Sequence, residues 1–191
     1  FNASNLLAIY SVGKLYNIDK IKLLTAISKL ESVVGRLQSF LSTNKVTVII
    51  DYAHTPDAIE NVISTINKIK SSSQNLITVI GCGGDRDKDK RSIMGKICSD
   101  LSSRVIFTSD NPRSEDPASI IDDMIGGVSK FNTDKVTVEI ERSKAINEAK
   151  ESSEEGDIVL IAGKGHEDYQ ELKNNKRIQF DDFKIAKQIF N

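Results

Sequence analysis

The sequence predicts an α/β fold: a mostly parallel sheet with helices on both faces, preceded by two helices. Three observations carry this expectation. Short, continuously apolar runs recur ("VTVIID", "LITVIG", "DIVLIAG"), and strands buried on both faces read that way. Between them lie segments whose apolar residues return every three or four positions, the period of a helix with one buried face. The two kinds of segment alternate, as strand–helix–strand units of a parallel sheet do.

Taken in order, "SNLLAIYSVGKLY" and "IDKIKLLTAISKLES" have helical spacing, with Ser4 and Asp19 near their beginnings. "VVGRLQSFLSTNK" breaks that pattern, and a domain boundary is expected close to Gly35 and Arg36. "VTVIIDY" then reads as a strand, followed by a helix with Ala58, Ile59, Val62, Ile63, Ile66 and Ile69 on one face. "LITVIG" is a second strand, and Ile93, Met94, Ile97, Cys98 and Leu101 mark the helix after it. "RVIFTS" leads to a helix carrying Ile120, Ile121, Met124, Ile125 and Val128, and "VTVEIE" leads to a short one with Ala145, Ile146 and Ala149. "DIVLIAG" is the most uniformly apolar strand, so it is expected at the centre. "YQEL" and "RIQF" predict a hairpin or edge strands, and "DDFKIAKQIF" a closing helix.

Composition narrows the setting. The 191 residues include 26 Lys and Arg against 27 Asp and Glu, a balance that flags neither a nucleic-acid nor a membrane surface. No apolar run is as long as a membrane span. Cys82 and Cys98 have neither metal-ligand spacing nor the look of a disulfide framework, so a reducing cytoplasm is expected. Cys98 continues a helix stripe and reads as core, whereas Cys82, in a glycine-rich turn, reads equally as packing or loop. The chain opens on Phe1 rather than methionine, and a fragment of a longer protein is expected.

In a parallel sheet the turns that leave the strands emerge at one edge, where ligands bind. Four such turns hold the unusual residues: "DYAHTPD", "GCGGDRD", "SDNPR" and "GKGHED", and both histidines, His54 and His166, are among them. Each turn has a plain structural reading as well. Asp51 and His54 can cap a helix beginning near Pro56, and Ser114 or Asp116 can cap the next. Gly81, Gly83 and Gly84 can simply permit a tight turn, with a solvated run of charge after them. Functionally, Arg86 beside exposed helix amides suits an anion. Arg113, on a turn stiffened by Pro112, presents a planar fork to a carboxylate or phosphate. Lys164, His166 and Glu167 add a charge, a titratable donor and a carboxylate. A dinucleotide fingerprint fits weakly, because Arg86 stands at the third glycine position. No GxxxxGK[ST] run and no metal-ligand cluster occurs.

With "DYAHTPDA", "GCGGDRDKDKR", "SDNPR" and "GKGHEDYQ" in this order and spacing, the chain resembles the carboxy-terminal part of the Mur ligases, in the branch that adds meso-diaminopimelate. The resemblance runs through essentially all of residues 1–191. It implies that residues 1–36, with "FNASNLLA" and "VVGR", close the family's central ATP-binding domain, and that 37–191 form its Rossmann-like carboxy-terminal domain. It implies an ATP-dependent acid–amino-acid ligase of peptidoglycan synthesis. There ATP phosphorylates a carboxylate of UDP-N-acetylmuramoyl-L-alanyl-D-glutamate, and the amine of meso-diaminopimelate attacks the acyl phosphate. By position, Asn5 and Arg36 resemble contacts to adenine and phosphates, Asp51 the ribose contact, and His54 a member of the same nucleotide-facing loop. Arg86, Asp110, Asn111, Arg113, Gly163 and Glu167 resemble the amino-acid pocket, and lysine-adding relatives differ at the arginine. The family's UDP-sugar domain, its phosphate loop and its carbamylated lysine have no counterpart here. The ligands of Mg2+ are therefore expected mainly upstream, with no metal site in these residues and no activity of the fragment alone. A cytoplasmic monomer is expected, without nucleic-acid or membrane partners. The alternatives are a lysine-adding or cyanophycin-type ligase domain, and a non-catalytic dinucleotide- or amino-acid-binding module.

Overall fold

The computed structural model describes residues 2–30 and 34–191. The chain divides into two compact units, residues 1–33 and 34–191. In the first are helix α1 (Asn2–Leu15) and helix α2 (Lys20–Ile27), which meet where Gly13 faces Leu23. Asp19 caps α2, its carboxylate accepting from the N–H groups of Ile21 and Lys22 (3.1 and 3.0 Å). Helix α1 begins at Asn2, so Ser4 lies inside it rather than at its cap.

The second unit is the expected α/β layer structure. Its strands are β1 (Gln38–Leu41), β2 (Thr47–Asp51), β3 (Leu76–Ile80), β4 (Arg104–Phe107), β5 (Val136–Val138) and β6 (Ile158–Ala162). They lie side by side in the order β1-β2-β6-β3-β4-β5. All neighbours are parallel except β1, which runs antiparallel to β2. Strand β6 is central, as its unbroken apolar sequence predicts, and all five of its residues are buried. A separate antiparallel hairpin pairs β7 (Tyr169–Leu172) with β8 (Lys176–Gln179).

Side chains leave successive strand positions on opposite faces, and two cores result. Leu160 and Ala162 of β6 join Ile59, Val62, Ile63 and Ile66 of α3 (Pro56–Ile69), Met94 and Cys98 of α4 (Asp89–Leu101), and Ile120, Ile121 and Met124 of α5 (Pro117–Ile125). Val159 and Ile161 point the other way, to Ala145, Ile146 and Ala149 of α6 (Arg142–Glu151) and to Ala186 and Phe190 of α7 (Asp182–Phe190). Burying this many Ile, Leu, Val and Phe side chains, at roughly 1.5–3 kcal/mol each, is the main force holding the sheet.

Four local expectations are corrected. Ile69, Ile93 and Ile125, read as members of apolar helix faces, are exposed, each lying at the margin of its helix's buried stripe. The stretch read only as a break contains β1, an edge strand whose "QSFL" has no apolar alternation; Phe40 anchors it edge-on against Phe183 of α7, with centroids 5.7 Å apart. The cap of α3 is neither Asp51 nor His54 but Thr55, whose Oγ1 accepts from Ala58 N at 3.3 Å, with Pro56 in the first turn. Of the two candidates before α5, Asp116 is the cap, accepting from Ser119 N.

Candidate functional site

The turns after β2, β3, β4 and β6 meet at one edge of the sheet, and glycines let their backbones touch. A Cβ on Gly84 would lie 1.9 Å from Pro112 O, so the "GCGG" turn can rest on the "DNPR" turn only without a side chain there. Gly84 N donates to Asn111 O at 2.9 Å across the same contact. Gly165, at φ 53°, would place a Cβ 2.6 Å from Tyr52 Cβ and 2.7 Å from Gly35 O. The "GKGHE" turn is thereby pressed onto the turn after β2 and onto Gly35.

One end of the edge is built around Tyr52. Asp51, the last residue of β2, is buried; its Oδ1 accepts from Ala53 N and its Oδ2 from Leu37 N, both at 2.8 Å. That carboxylate ties the segment before β1 to the turn after β2 and so places Arg36, whose guanidinium stands 4.7 Å from the centre of the Tyr52 ring. His54 meets the same ring edge-on at 4.6 Å, and His166 lies 5.1 Å away. Lys90 Nζ donates to His54 O at 2.8 Å, fixing the turn from α4. Burial of the Tyr52 phenol, with the nearby Glu167 charge, raises its pKa. Arg36, Asp51 and His54 are thus brought together. Asn5 belongs to the other unit, exposed on α1.

The other end is an ionic cluster. Lys164 is fully buried, and its Nζ donates to Asn111 Oδ1 (3.0 Å), Asp110 Oδ1 (3.3 Å) and Glu167 Oε2 (3.3 Å). Asn111 Nδ2 also donates to Glu167 Oε2 at 2.8 Å. Two carboxylates face one ammonium, and Asp110 Oδ2 makes no hydrogen bond among the described residues. Gly163, at φ 113°, donates its N–H to Asp51 O (3.1 Å), and a Cβ there would stand 3.7 Å from Asp110 Oδ2.

Arg113 adjoins this cluster in a left-handed conformation, φ 52°. Its fork is partly occupied by the protein itself: Nε donates to Glu171 Oε2 and Nη1 to Gly84 O, both at 2.8 Å. The "DNPR" turn therefore does two things, holding the β7–β8 hairpin and offering the rest of the guanidinium. Arg86 flanks the same place, since both Arg113 and Arg86 lie within 4 Å of a Cβ built on Gly83.

Several working residues escaped the sequence reading. Arg91, in a run expected to be solvated, is fully buried and grips Gly83 O (3.2 Å), Glu115 (2.8 and 3.0 Å) and Asp123 (2.9 Å), holding the "GCGG" turn in place. In the sequence Lys164 reads as a charge and not as the hub of the pocket. Its one signal is a lysine set between two glycines, where a surface lysine needs neither. Glu171 has no signal at all. Cys82 proves to be packing: its thiol lies 3.8 Å from Met94 Sδ, and burial pushes its pKa up to about 12, so it is not a nucleophile. Among the described residues no three His, Cys, Asp or Glu side chains converge to hold a metal, and no helix is long and apolar enough to cross a membrane.

Residues 35–165 match the family described as Mur ligase, glutamate ligase domain. The chain belongs to the Mur ligase family. The UDP-N-acetylmuramoyl-L-alanyl-D-glutamate–2,6-diaminopimelate ligase of Bacteroides thetaiotaomicron is 47% identical over 191 residues, all of this chain and 39% of that protein. A solved structure of a ligase of the same name superposes with a TM-score of 0.75 at 39% identity, covering 99% of this chain and 38% of that one. The UDP-N-acetylmuramate–alanine ligase of Thermotoga maritima, 22% identical over 85% of this chain and 34% of its own, shares the fold with a TM-score of 0.62. The chain thus spans about 39% of the length of the curated relatives it matches.

Proposed function

We propose that this chain is the carboxy-terminal part of an ATP-dependent ligase that joins meso-diaminopimelate to UDP-N-acetylmuramoyl-L-alanyl-D-glutamate in peptidoglycan synthesis. Residues 1–36 close the central ATP-binding domain, and residues 37–191 carry the amino-acid site and part of the nucleotide site. The protein is a cytoplasmic monomer. The observation that carries this reading is the side-by-side placement of an acidic cluster, Asp110 and Glu167 around Lys164, and a basic one, Arg113 with Arg86. Diaminopimelate ends in an ammonium and a carboxylate on one carbon, so it needs both within a few ångströms; lysine ends in an ammonium alone. Asp110, Asn111 and Glu167, with the Gly163 carbonyl, hold the ammonium, and the free part of the Arg113 fork holds the carboxylate.

At the other end, Arg36, Asp51 and His54 face the nucleotide. The fit is one of cation and stacked rings: a guanidinium and two imidazoles gathered on Tyr52 suit a phosphate chain beside a flat base. ATP, when bound, supplies the phosphoryl group that activates the acceptor carboxylate. Among the described residues no group of three His, Cys, Asp or Glu side chains gathers to hold Mg2+.

The test is Arg113→Ala in the full-length protein. Leaving a substrate carboxylate desolvated and unpaired costs about 2–5 kcal/mol, so the specificity constant for diaminopimelate falls steeply. That for lysine, which has no carboxylate to lose, falls much less. Equal losses for both amino acids would remove the diaminopimelate assignment.

A further inference from the structure

Glu171, on β7, has its carboxylate between two guanidiniums. Arg113 Nε donates to Oε2 at 2.8 Å, and Arg177 Nη2, from β8, donates to Oε1 at 3.3 Å. Main-chain bonds fix it there: Arg113 N donates to Glu171 O (3.0 Å), and Glu171 N donates to Asn111 Oδ1 (2.9 Å). Burial raises the Glu171 pKa, but the hydrogen bonds and charges of Arg113 and Arg177 outweigh it and leave the group below its ordinary value. At neutral pH, then, a carboxylate already rests against the arginine that faces the amino-acid pocket. Arg113 Nη2 makes no hydrogen bond among the described residues. An incoming carboxylate can take that nitrogen, but it arrives beside a like charge held on the same fork.

We propose that Glu171 is an internal counter-charge that sets how strongly this end of the pocket prefers an amino acid ending in a carboxylate, with Arg177 opposing it from the same hairpin. The inference rests on the reading of Arg113 as the carboxylate contact. Its logic is a charge count. Arg113 and Arg177 against Glu171 leave one positive charge uncompensated. Replacing Glu171 by glutamine leaves two, while the amide oxygen still accepts from Arg113 Nε and the main-chain bonds are untouched. Replacing Arg177 by glutamine leaves none. Opposite signs are the signature, because a hairpin that merely needed its ion pairs would suffer from both changes.

The experiment measures kcat/KM for diaminopimelate and for lysine in the full-length protein, with Glu171→Gln, Arg177→Gln and Arg113→Gln, at low and high salt. Two like charges several ångströms apart in partly hydrated surroundings predict that Glu171→Gln raises the diaminopimelate-to-lysine ratio about three- to tenfold, chiefly through KM. Arg177, whose side chain is 59% exposed, is screened by solvent, and Arg177→Gln lowers the ratio by about two- to fivefold. Both effects shrink at high salt. If Glu171→Gln leaves the ratio unchanged or lowers it while Arg113→Gln still abolishes discrimination, Glu171 is an anchor and the inference is overturned alone. If Arg113→Gln leaves discrimination intact, the reading of Arg113 falls, and this inference with it.

Discussion

Lys164 carries its charge with none of its side chain in water, and three oxygens from two different turns are what hold it there. Its ammonium takes one oxygen of Asp110 and one of Glu167, which fixes where the remaining oxygens point. Lys164→Met keeps the stem's packing and removes the cation, so two carboxylates are left facing each other in a poorly hydrated place. The expected loss is about 2–5 kcal/mol, the range for stripping one partner from a buried charge pair. Denaturant unfolding of the full-length protein checks the size of the loss, and an unchanged midpoint would show the cluster to be far better solvated than its geometry implies. Charged residues of this kind are where the sequence was least legible. Lys164 and Arg91 sit in strings rich in charge, which ordinarily face water, and their burial depends on partners 54 and 24 residues away. A local reading sees the charge and not the partner.

The elements themselves were easier to read, because strands buried on both faces and helices buried on one leave periodic marks. β2, β3, β4 and β6 and the helices between them follow those marks; β1 leaves none, being four residues long and half exposed. Between elements, the connection from β3 to α4 is held by a carboxylate from another turn. Glu115 accepts from Arg91 at 2.8 and 3.0 Å and from Asp85 N at 2.6 Å. The Arg91 hydrogen bond, followed by that of Asp85, lowers the Glu115 pKa from 4.5 to about 2. The folded value lies below the unfolded one, so this stabilisation is complete above 4.5 and is lost as pH falls through about 2. Glu115→Gln removes it at all pH values. The gap in Tm between the native protein and Glu115→Gln is therefore expected to be constant from neutral pH down to 4.5 and to close toward 2. A gap that does not narrow in acid would mean that shape rather than charge at Glu115 holds the turn.

At the scale of the whole chain, the two units differ in how well they cover their apolar residues. The 34–191 unit has a filled core on each face of its sheet. In the 1–33 unit Leu23 is buried, held by Gly13, where a Cβ would come within 2.7 Å of its methyls. In the same unit Leu7, Leu15, Tyr16 and Ile21 are between 64% and 81% exposed. Exposed apolar side chains on two short helices are costly to leave in water and favour association. Two helices of this length also have little intrinsic stability without a surface to pack on. If the first helices belong with a preceding domain, as proposed, the filled unit should stand without residues 1–33. Residues 34–191 expressed alone are expected to unfold in one cooperative transition, to keep the near-ultraviolet signal of packed tyrosines, and to remain monomeric. Residues 1–191 are expected to bind more of a hydrophobic dye and to self-associate at lower concentration. Loss of the cooperative transition on removing 1–33 would place the first two helices inside the same folding unit as the sheet. Equal dye binding by the two chains would show that α1 and α2 already bury those side chains, and the proposed boundary would then have to move.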